Sequence, residues 1–341
     1  MSTQHTKQFS RRRFLSGLTL AGTAGLFAVR SMPPAIGAEP PPETTKLRLV
    51  QTISICEAPQ YVAEEYLQRE GFTDVQYTTV GTGGRSKAMA SGEADLTFGF
   101  AATWITRVDV GDPIVLLAGV HVGCFELFGT ERVRSIRDLR GKTVAVPELG
   151  SSQHIFLASM LAYVGLKPQN DVTWVTHPFS ESMQLLAEGK IDGYLGWPPE
   201  PLELREKKIG HVVVSSMMDR PWSQYFCCIV VGNREFVRKH PVATKRALRA
   251  ILKGAEICAL EPDRAARLLV DRGHTPRYDH ALQTMKDIPY AQWREYDPED
   301  TVRFYALRLQ EAGMIKSTPQ KIIAQGTDWR FLNALKKELK E

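Results

Sequence analysis

From residue 46 onward, short β-branched apolar runs alternate with stretches whose apolar positions recur at helical spacing. "LRLVQTISI" (47–55), "DVQYTTV" (74–80), "ADLTFGF" (94–100), "PIVLLAGVHV" (113–122) and "CFELFGT" (124–130) predict strands. "APQYVAEEYLQREG" (58–71) and "RSKAMASG" (85–92) predict helices closed by Gly71 and Gly92. Such alternation predicts an α/β sheet with flanking helices.

A second unit of the same kind opens at "SIRDLRGKTVAV" (135–146), with strands predicted at 143–146, 172–176 and 193–195 and helices after each. The two units share an internal repeat. "ASGEADLTFGF" from Ala90 and "AEGKIDGYLGW" from Ala187 align Gly92 with Gly189, Asp95 with Asp192, Gly99 with Gly196 and Phe100 with Trp197. In each, a glycine stops a helix, an Asp opens the next strand and Gly-aromatic closes it. The repeat predicts two similarly built lobes. A further strand, "YFCCIVVG" (225–232), precedes a helical remainder in which 241–260, 262–273, 298–314 and 328–341 each carry an apolar stripe.

Charge changes the picture only at the N-terminus. "SRRRFLSGLTLAGTAGLFAV" sets arginines ahead of an apolar run that is broken by glycines and too short to span a bilayer, and it resembles a twin-arginine export signal. Residues 1–38 are expected to be that signal and 39–45 a Pro-rich linker. The chain's net charge of +5 is accounted for by Lys7, Arg11, Arg12, Arg13 and Arg30, all within the signal, which holds no Asp or Glu. The remainder is therefore near neutral, and its basic helix faces are interleaved with acids, so no nucleic acid partner is expected. No cysteine directly follows the apolar run, so a lipid anchor is not expected and the exported chain should be free in the periplasm.

The five cysteines, Cys56, Cys124, Cys227, Cys228 and Cys258, show no metal-ligand spacing, and they read as small buried hydrophobes. The adjacent Cys227 and Cys228 should point to opposite faces of their strand. No metal or other cofactor is expected.

The stretch "TVAVPELGSSQHIFLASML" (143–161) joins a strand to a helix through "GSSQH". It lacks the Gly-x-Ser-x-Gly of a nucleophile elbow, and no acid is placed for a triad, so no catalytic residue is assigned. Ser151, Ser152 and the free N–H groups of a helix start, with His154 beside them, can accept a polar ligand group; Ser151 or Ser152 as a plain N-cap is the alternative. "VGTGGRSKAM" (80–89) is neither a dinucleotide fingerprint nor a P-loop, and Arg85 reads equally as a ligand contact or a surface charge. Glu57 follows the first strand, at the carboxyl edge where open α/β sheets take ligands. Trp197, Trp222 and Tyr225 stand where the chain ends a second-lobe strand or returns to the first lobe. They suit either a ring or cation sandwich or plain core packing.

Taken in order, "RVRSIRDLRGKTVAV", "GSSQH", "VGLKPQNDVTWV" and "LLAEGKIDGYLGWPPEP" resemble the periplasmic substrate-binding proteins of nitrate, sulfonate, taurine and thiamine-precursor ABC transporters. The resemblance implies a type II periplasmic binding protein fold of two α/β lobes, each a mainly parallel sheet flanked by helices, with a helical C-terminal extension on lobe one. Lobe one would comprise 46–129 and 222–341, lobe two 130–221, with crossovers near 129–132 and 219–222. It implies ligand contacts at Glu57, Ala102, Thr103, Ser151, Ser152, His154, Trp197 and Trp222. The partners it implies are a small-molecule ligand and the permease and ATPase of an ABC importer; the signal adds the twin-arginine translocase during export. An exported enzyme related to thiamine-pyrimidine synthase, or a ligand sensor for a membrane receptor, are the alternatives on the same scaffold.

Overall fold

Continuous apolar runs become strands buried along their whole length. The computed structural model describes residues 39–51, 54–80 and 84–338; the expected export signal, 1–38, lies outside the described residues, as do 81–83 of the glycine-rich loop. Among the described residues, ten strands form two five-stranded sheets. The first contains β1 (Lys46–Gln51), β2 (Asp74–Thr79), β3 (Leu96–Phe100), β4 (Ile114–Val122) and β10 (Phe226–Asn233), in the order β2-β1-β3-β10-β4. The second contains β5 (Glu126–Gly129), β6 (Lys142–Val146), β7 (Val172–Thr176), β8 (Gly193–Gly196) and β9 (His211–Ser215), in the order β7-β6-β8-β5-β9. The two orders are equivalent strand for strand, and each sheet has one reversed strand, β10 or β5, in the same place. All nine residues of β4 and all eight of β10 are buried, as uninterrupted hydrophobic strands between helical layers should be.

The sequence repeat is a structural one. Gly92 (φ +76°) and Gly189 (φ +66°) take the left-handed conformation that ends each preceding helix. Asp95 accepts from the Arg48 N–H of β1 at 2.7 Å, and Asp192 accepts from the Thr143 N–H of β6 at 3.0 Å. Each carboxylate also meets a guanidinium, Arg48 in the first sheet and Arg132 in the second. Both Asp residues thus staple their strand to its parallel neighbour through the side chain as well as the backbone.

One expectation is corrected. The chain leaves the first sheet between β4 and β5, at 123–125, rather than at 129–132, so β5 belongs to the second sheet. Only three residues separate the two apolar runs, too few to show as a boundary in the pattern. The return lies between β9 and β10 and includes 219–222 as expected; β9, built from "HVVVS", was not foreseen. The two connections are tied together by Ser216, whose Oγ accepts from the N–H groups of Cys124 (3.1 Å) and Phe125 (2.9 Å) and donates to the Phe125 carbonyl (2.9 Å). The Pro-rich linker is docked: the Glu43 carboxylate accepts from Val242 and Ala243 at the start of the helix Pro241–Leu260, 2.9 Å each. An anion there answers the unpaired N–H groups of the first turn.

Helices α1 (Gly84–Ser91), α2 (Ala101–Asp109) and α3 (Ser152–Tyr163) set the site. The first two precede and follow β3, and the third follows β6. A long C-terminal helix, α4 (Pro298–Glu311), packs against both α2 and α3, so their approach is backed by apolar contact as well as by polar bonds. No helix among the described residues is long and apolar enough to cross a membrane.

Candidate ligand-binding site

The carboxyl ends of β1, β3 and β6 face a common cavity of about 370 Å³. The first-sheet side contributes Ser54, Cys56, Glu57, Arg85, Phe100, Thr103 and Trp104, and the second-sheet side Glu148, Ser151, Ser152, Gln153 and Trp197. A volume of this size takes a small organic molecule.

Glu57 and Arg85 are brought together. Arg85 Nη1 donates to Glu57 Oε1 at 2.9 Å and to the Phe98 carbonyl at 2.8 Å. Glu57 is almost wholly buried, in a short turn after β1 that it shares with Ile55 and Cys56. Gly99 makes the pairing possible, because a Cβ there would stand 2.4 Å from Arg85 Nη1. Burial opposes the guanidinium's charge, but the Glu57 carboxylate holds the Arg85 pKa above its ordinary value. The pair is therefore internally neutral. The other charged lining residue among those described is Glu148, so the cavity wall presents no uncompensated cation.

The helix start at Ser151 answers the question posed by "GSSQH". Ser151 is the N-cap of α3, its Oγ accepting from the His154 backbone N–H at 3.3 Å. Gly150, at φ +89°, turns its N–H onto His154 Nδ1 at 3.0 Å. That donation makes Nδ1 an acceptor, so the ring is neutral, and burial lowers its pKa below the usual histidine value. The ring also stands edge-on to Trp174, with centroids 4.7 Å apart. His154 is thus engaged with the loop that precedes its own helix and is not part of the cavity wall. Ser152 is the outward hydroxyl: its Oγ lies 3.1 Å from Thr103 Oγ1 of α2.

The expected residues divide accordingly. Glu57, Arg85, Thr103, Ser151, Ser152 and Trp197 line one cavity. Ala102 is fully buried on α2 beneath Thr103. Trp222 and Tyr225 are placed elsewhere, in an aromatic cluster against α4: Tyr225 stacks on Phe304 at 3.9 Å, and Trp222 meets Phe156 at 5.5 Å and Phe304 at 5.7 Å edge-on. Their position near the return crossover made them candidates, but packing against Phe304 consumes their faces.

Several lining residues were not foreseen. Phe100 is the repeat's counterpart of Trp197, and reading the repeat symmetrically would have found it. Phe125 meets both Trp197 (5.5 Å) and Phe100 (5.1 Å) edge-on and so joins the two aromatic walls. Gln153 is 1 % exposed, with its side-chain amide beside the Tyr194 hydroxyl. Cys56, Cys124, Cys227 and Cys228 also reach the cavity, which overturns the expectation that Cys227 and Cys228 face apart. An irregular register between β4 and β10 at Phe226, Cys228 and Ile229 turns both inward.

Comparison with known proteins agrees with this architecture. A family model described as NMT1/THI5 like matches residues 57–265. A putative binding protein of Brucella abortus (strain 2308) is 25 % identical over 189 residues, covering 55 % of this chain and 59 % of that protein, so the chain matches only part of the length of its curated relatives. The periplasmic nitrate-binding protein NrtA of Synechocystis PCC 6803 superposes with a TM-score of 0.69 at 15 % identity, over 88 % of this chain and 90 % of that one. A putative periplasmic sulfonate-binding protein of Methylobacillus flagellatus KT gives 0.64 at 18 % identity, over 86 % and 94 %. At such identities these structures establish a shared fold.

Proposed function

We propose that this chain, which belongs to the NMT1/THI5-like family, is the solute-binding component of an ABC importer and takes a small organic solute into the cavity between its two sheets. In this reading residues 46–122 and 226–338 form one lobe and 126–215 the other, and the Ser216-linked connections are the hinge. The relatives named above as nitrate- and sulfonate-binding proteins support the transport role. The partners are a permease and its ATPase, the location is the periplasm, and export follows the twin-arginine route.

The observation that carries the choice of solute is the Glu57–Arg85 pair. A small oxyanion needs an uncompensated cation or a set of convergent donors, whereas here the one lining guanidinium is already neutralised by a buried carboxylate. The remaining wall is aromatic, with Phe100, Trp104, Phe125 and Trp197 beside hydroxyls and the Gln153 amide. That surface suits an uncharged or cationic ring bearing polar edges. Binding without turnover is expected, since Ser151 caps a helix and His154 is held away from both serines.

A thermal-shift panel on the purified chain tests the reading. Heteroaromatic and amine-bearing compounds should raise the melting temperature, with about 2.7 kcal/mol of added stability at 100 times the dissociation constant. Nitrate and simple alkanesulfonates should not. A bound solute recovered chemically altered would argue for an enzyme instead. Solution scattering should show compaction on binding, and replacing Arg11, Arg12 and Arg13 by Lys should retain the precursor in the cytoplasm.

A further inference from the structure

Four of the five cysteines meet at the inner wall of the cavity although the chain brings them from three separate places. Cys56 lies in the turn after β1, Cys124 in the first connection between the sheets, and Cys227 and Cys228 on β10. All are buried and none is in a disulfide. On β4, His121 is the ladder partner of Cys228. The Sγ atoms of Cys56 and Cys228 and a ring nitrogen of His121 all lie within 4.8 Å of one another.

The state of the imidazole gives this cluster its meaning. His121 is 0 % exposed, and its Nδ1 is 3.0 Å from the Gly123 carbonyl and 3.3 Å from that of Val122. Facing two acceptors, Nδ1 must carry the proton, which leaves the lone pair on Nε2. Nε2 is buried, and the group beside it that can donate to it is the Cys56 thiol, a weak donor. A ring nitrogen fixed by a backbone carbonyl on its far side is the arrangement by which proteins orient a histidine that ligates a metal. Beside it stand two thiols, the donors that select soft cations. Tetrahedral Zn–S and Zn–N bonds of about 2.3 and 2.0–2.1 Å place ligand atoms roughly 3.5–3.8 Å apart, within the spread seen here.

The surroundings fit the same use. Ser54 Oγ lies 3.0 Å from Cys56 Sγ and can donate to a thiolate. Cys124 neighbours Cys56, and its Sγ lies 3.0 Å from that of Cys227, so a further sulfur is at hand on the cavity side.

We propose that Cys56, His121 and Cys228 bind one thiophilic metal ion of the Zn²⁺ or Cu⁺ class at the inner end of the cavity. On ligation the coordinating thiols release their protons to solvent, and the ion keeps its oxidation state. The site would put a cation where the cavity wall otherwise offers none that is uncompensated. The proposal does not depend on which organic solute the cavity takes.

The test uses the reduced, metal-free chain. Titration with Co²⁺, a spectroscopic stand-in for Zn²⁺, should give thiolate-to-metal charge-transfer absorption that saturates at one ion per chain and is lost when Zn²⁺ is added. Cu⁺ should be taken up against a chromogenic chelator with the same stoichiometry. Cys56→Ser and His121→Ala should each weaken binding at least tenfold, whereas Cys258→Ser, which alters the cysteine outside the cluster, should leave it unchanged. Loss of two thiols to a Cys124–Cys227 disulfide with one Co²⁺ still held would support the triad as the site. No charge-transfer band in wild-type protein whose five thiols titrate as free would overturn the proposal, as would wild-type affinity in folded Cys56→Ser and His121→Ala. The wild-type titration decides alone if either variant fails to fold. Metal uptake by a chain that binds no organic solute would sink the importer reading and leave the metal site standing.

Discussion

Thr103 Oγ1 and Ser152 Oγ stand 3.1 Å apart, the first on a helix that follows a strand of the first sheet and the second at the start of a helix that follows a strand of the second. The two hydroxyls close the cavity between units that the sequence repeat marks as equivalent. A neutral hydrogen bond contributes about 0.5–1.5 kcal/mol. Ser152→Ala should therefore weaken solute affinity by about two- to tenfold in calorimetry and leave the melting temperature nearly unchanged. Ser151→Ala should do the reverse: it removes an N-cap, which costs about 1 kcal/mol of stability, and neither serine should label with a fluorophosphonate.

Glu57 can be made to decide the charge of the solute. Replacing it by Gln keeps the shape of the turn but leaves the Arg85 guanidinium unneutralised beside the cavity. Breaking a buried ion pair from one side costs several kcal/mol; with the Arg85 side chain 29 % exposed, a loss of about 1–3 kcal/mol is expected. In a binding panel, Glu57→Gln should lose cationic solutes and gain weak affinity for sulfonates or carboxylates. An unchanged selectivity profile would detach the pair from recognition.

Glu200 makes stability depend on pH in a defined window. Burial pushes its carboxyl up to about 8 from an ordinary 4.5, against the lowering effect of the Tyr194 hydroxyl, which donates to Oε2 at 2.8 Å. Since the folded pKa is raised, the folded chain holds a proton that the unfolded chain releases between these two values. The stability Glu200 supplies is thus complete below pH 4.5 and declines as pH rises toward 8, by on the order of 3 kcal/mol at pH 7. Chemical denaturation at several pH values should show a smaller loss of stability with rising pH in Glu200→Gln than in wild type, since the raised Glu126 and the lowered His154 and His274 act alike in both and cancel in the difference. Groups with lowered pKa, such as Glu43, act at more acidic pH and cancel in the difference between the two curves.

The fold was legible because two levels of pattern agreed. The apolar runs at 113–122 and 225–232, broken only by His121, became the buried pair β4 and β10; the repeat around Asp95 and Asp192 announced the duplication. The site was legible where a residue follows directly from a strand end, as with Glu57, Thr103, Ser152 and Trp197. It was not legible where tertiary packing decides. Nothing local separates Trp197, which lines the cavity, from Trp222, whose neighbours Phe156, Tyr163 and Phe304 come from other helices. The inward turn of both Cys227 and Cys228 depends on a register irregularity against β4, which period-two reading cannot anticipate.

Asp95 and Asp192 should prove equivalent in kind and unequal in size. Each joins the strand it opens to the preceding parallel strand by accepting a backbone N–H, and each carries an arginine on its other oxygen. The Asp95 side chain is 3 % exposed and its Arg48 partner 34 %; for Asp192 and Arg132 the values are 11 % and 54 %. Water can replace more of what Asp192 loses. Asp95→Ala leaves the Arg48 N–H unpaired where solvent reaches poorly, and should cost about 2–4 kcal/mol. Asp192→Ala should cost about 1–2. The two share no partner, so the double variant should show the sum within about 0.5 kcal/mol. Urea denaturation of the four proteins checks this, and a large non-additive term would mean that the two sheets unfold as strongly coupled bodies rather than through independent staples.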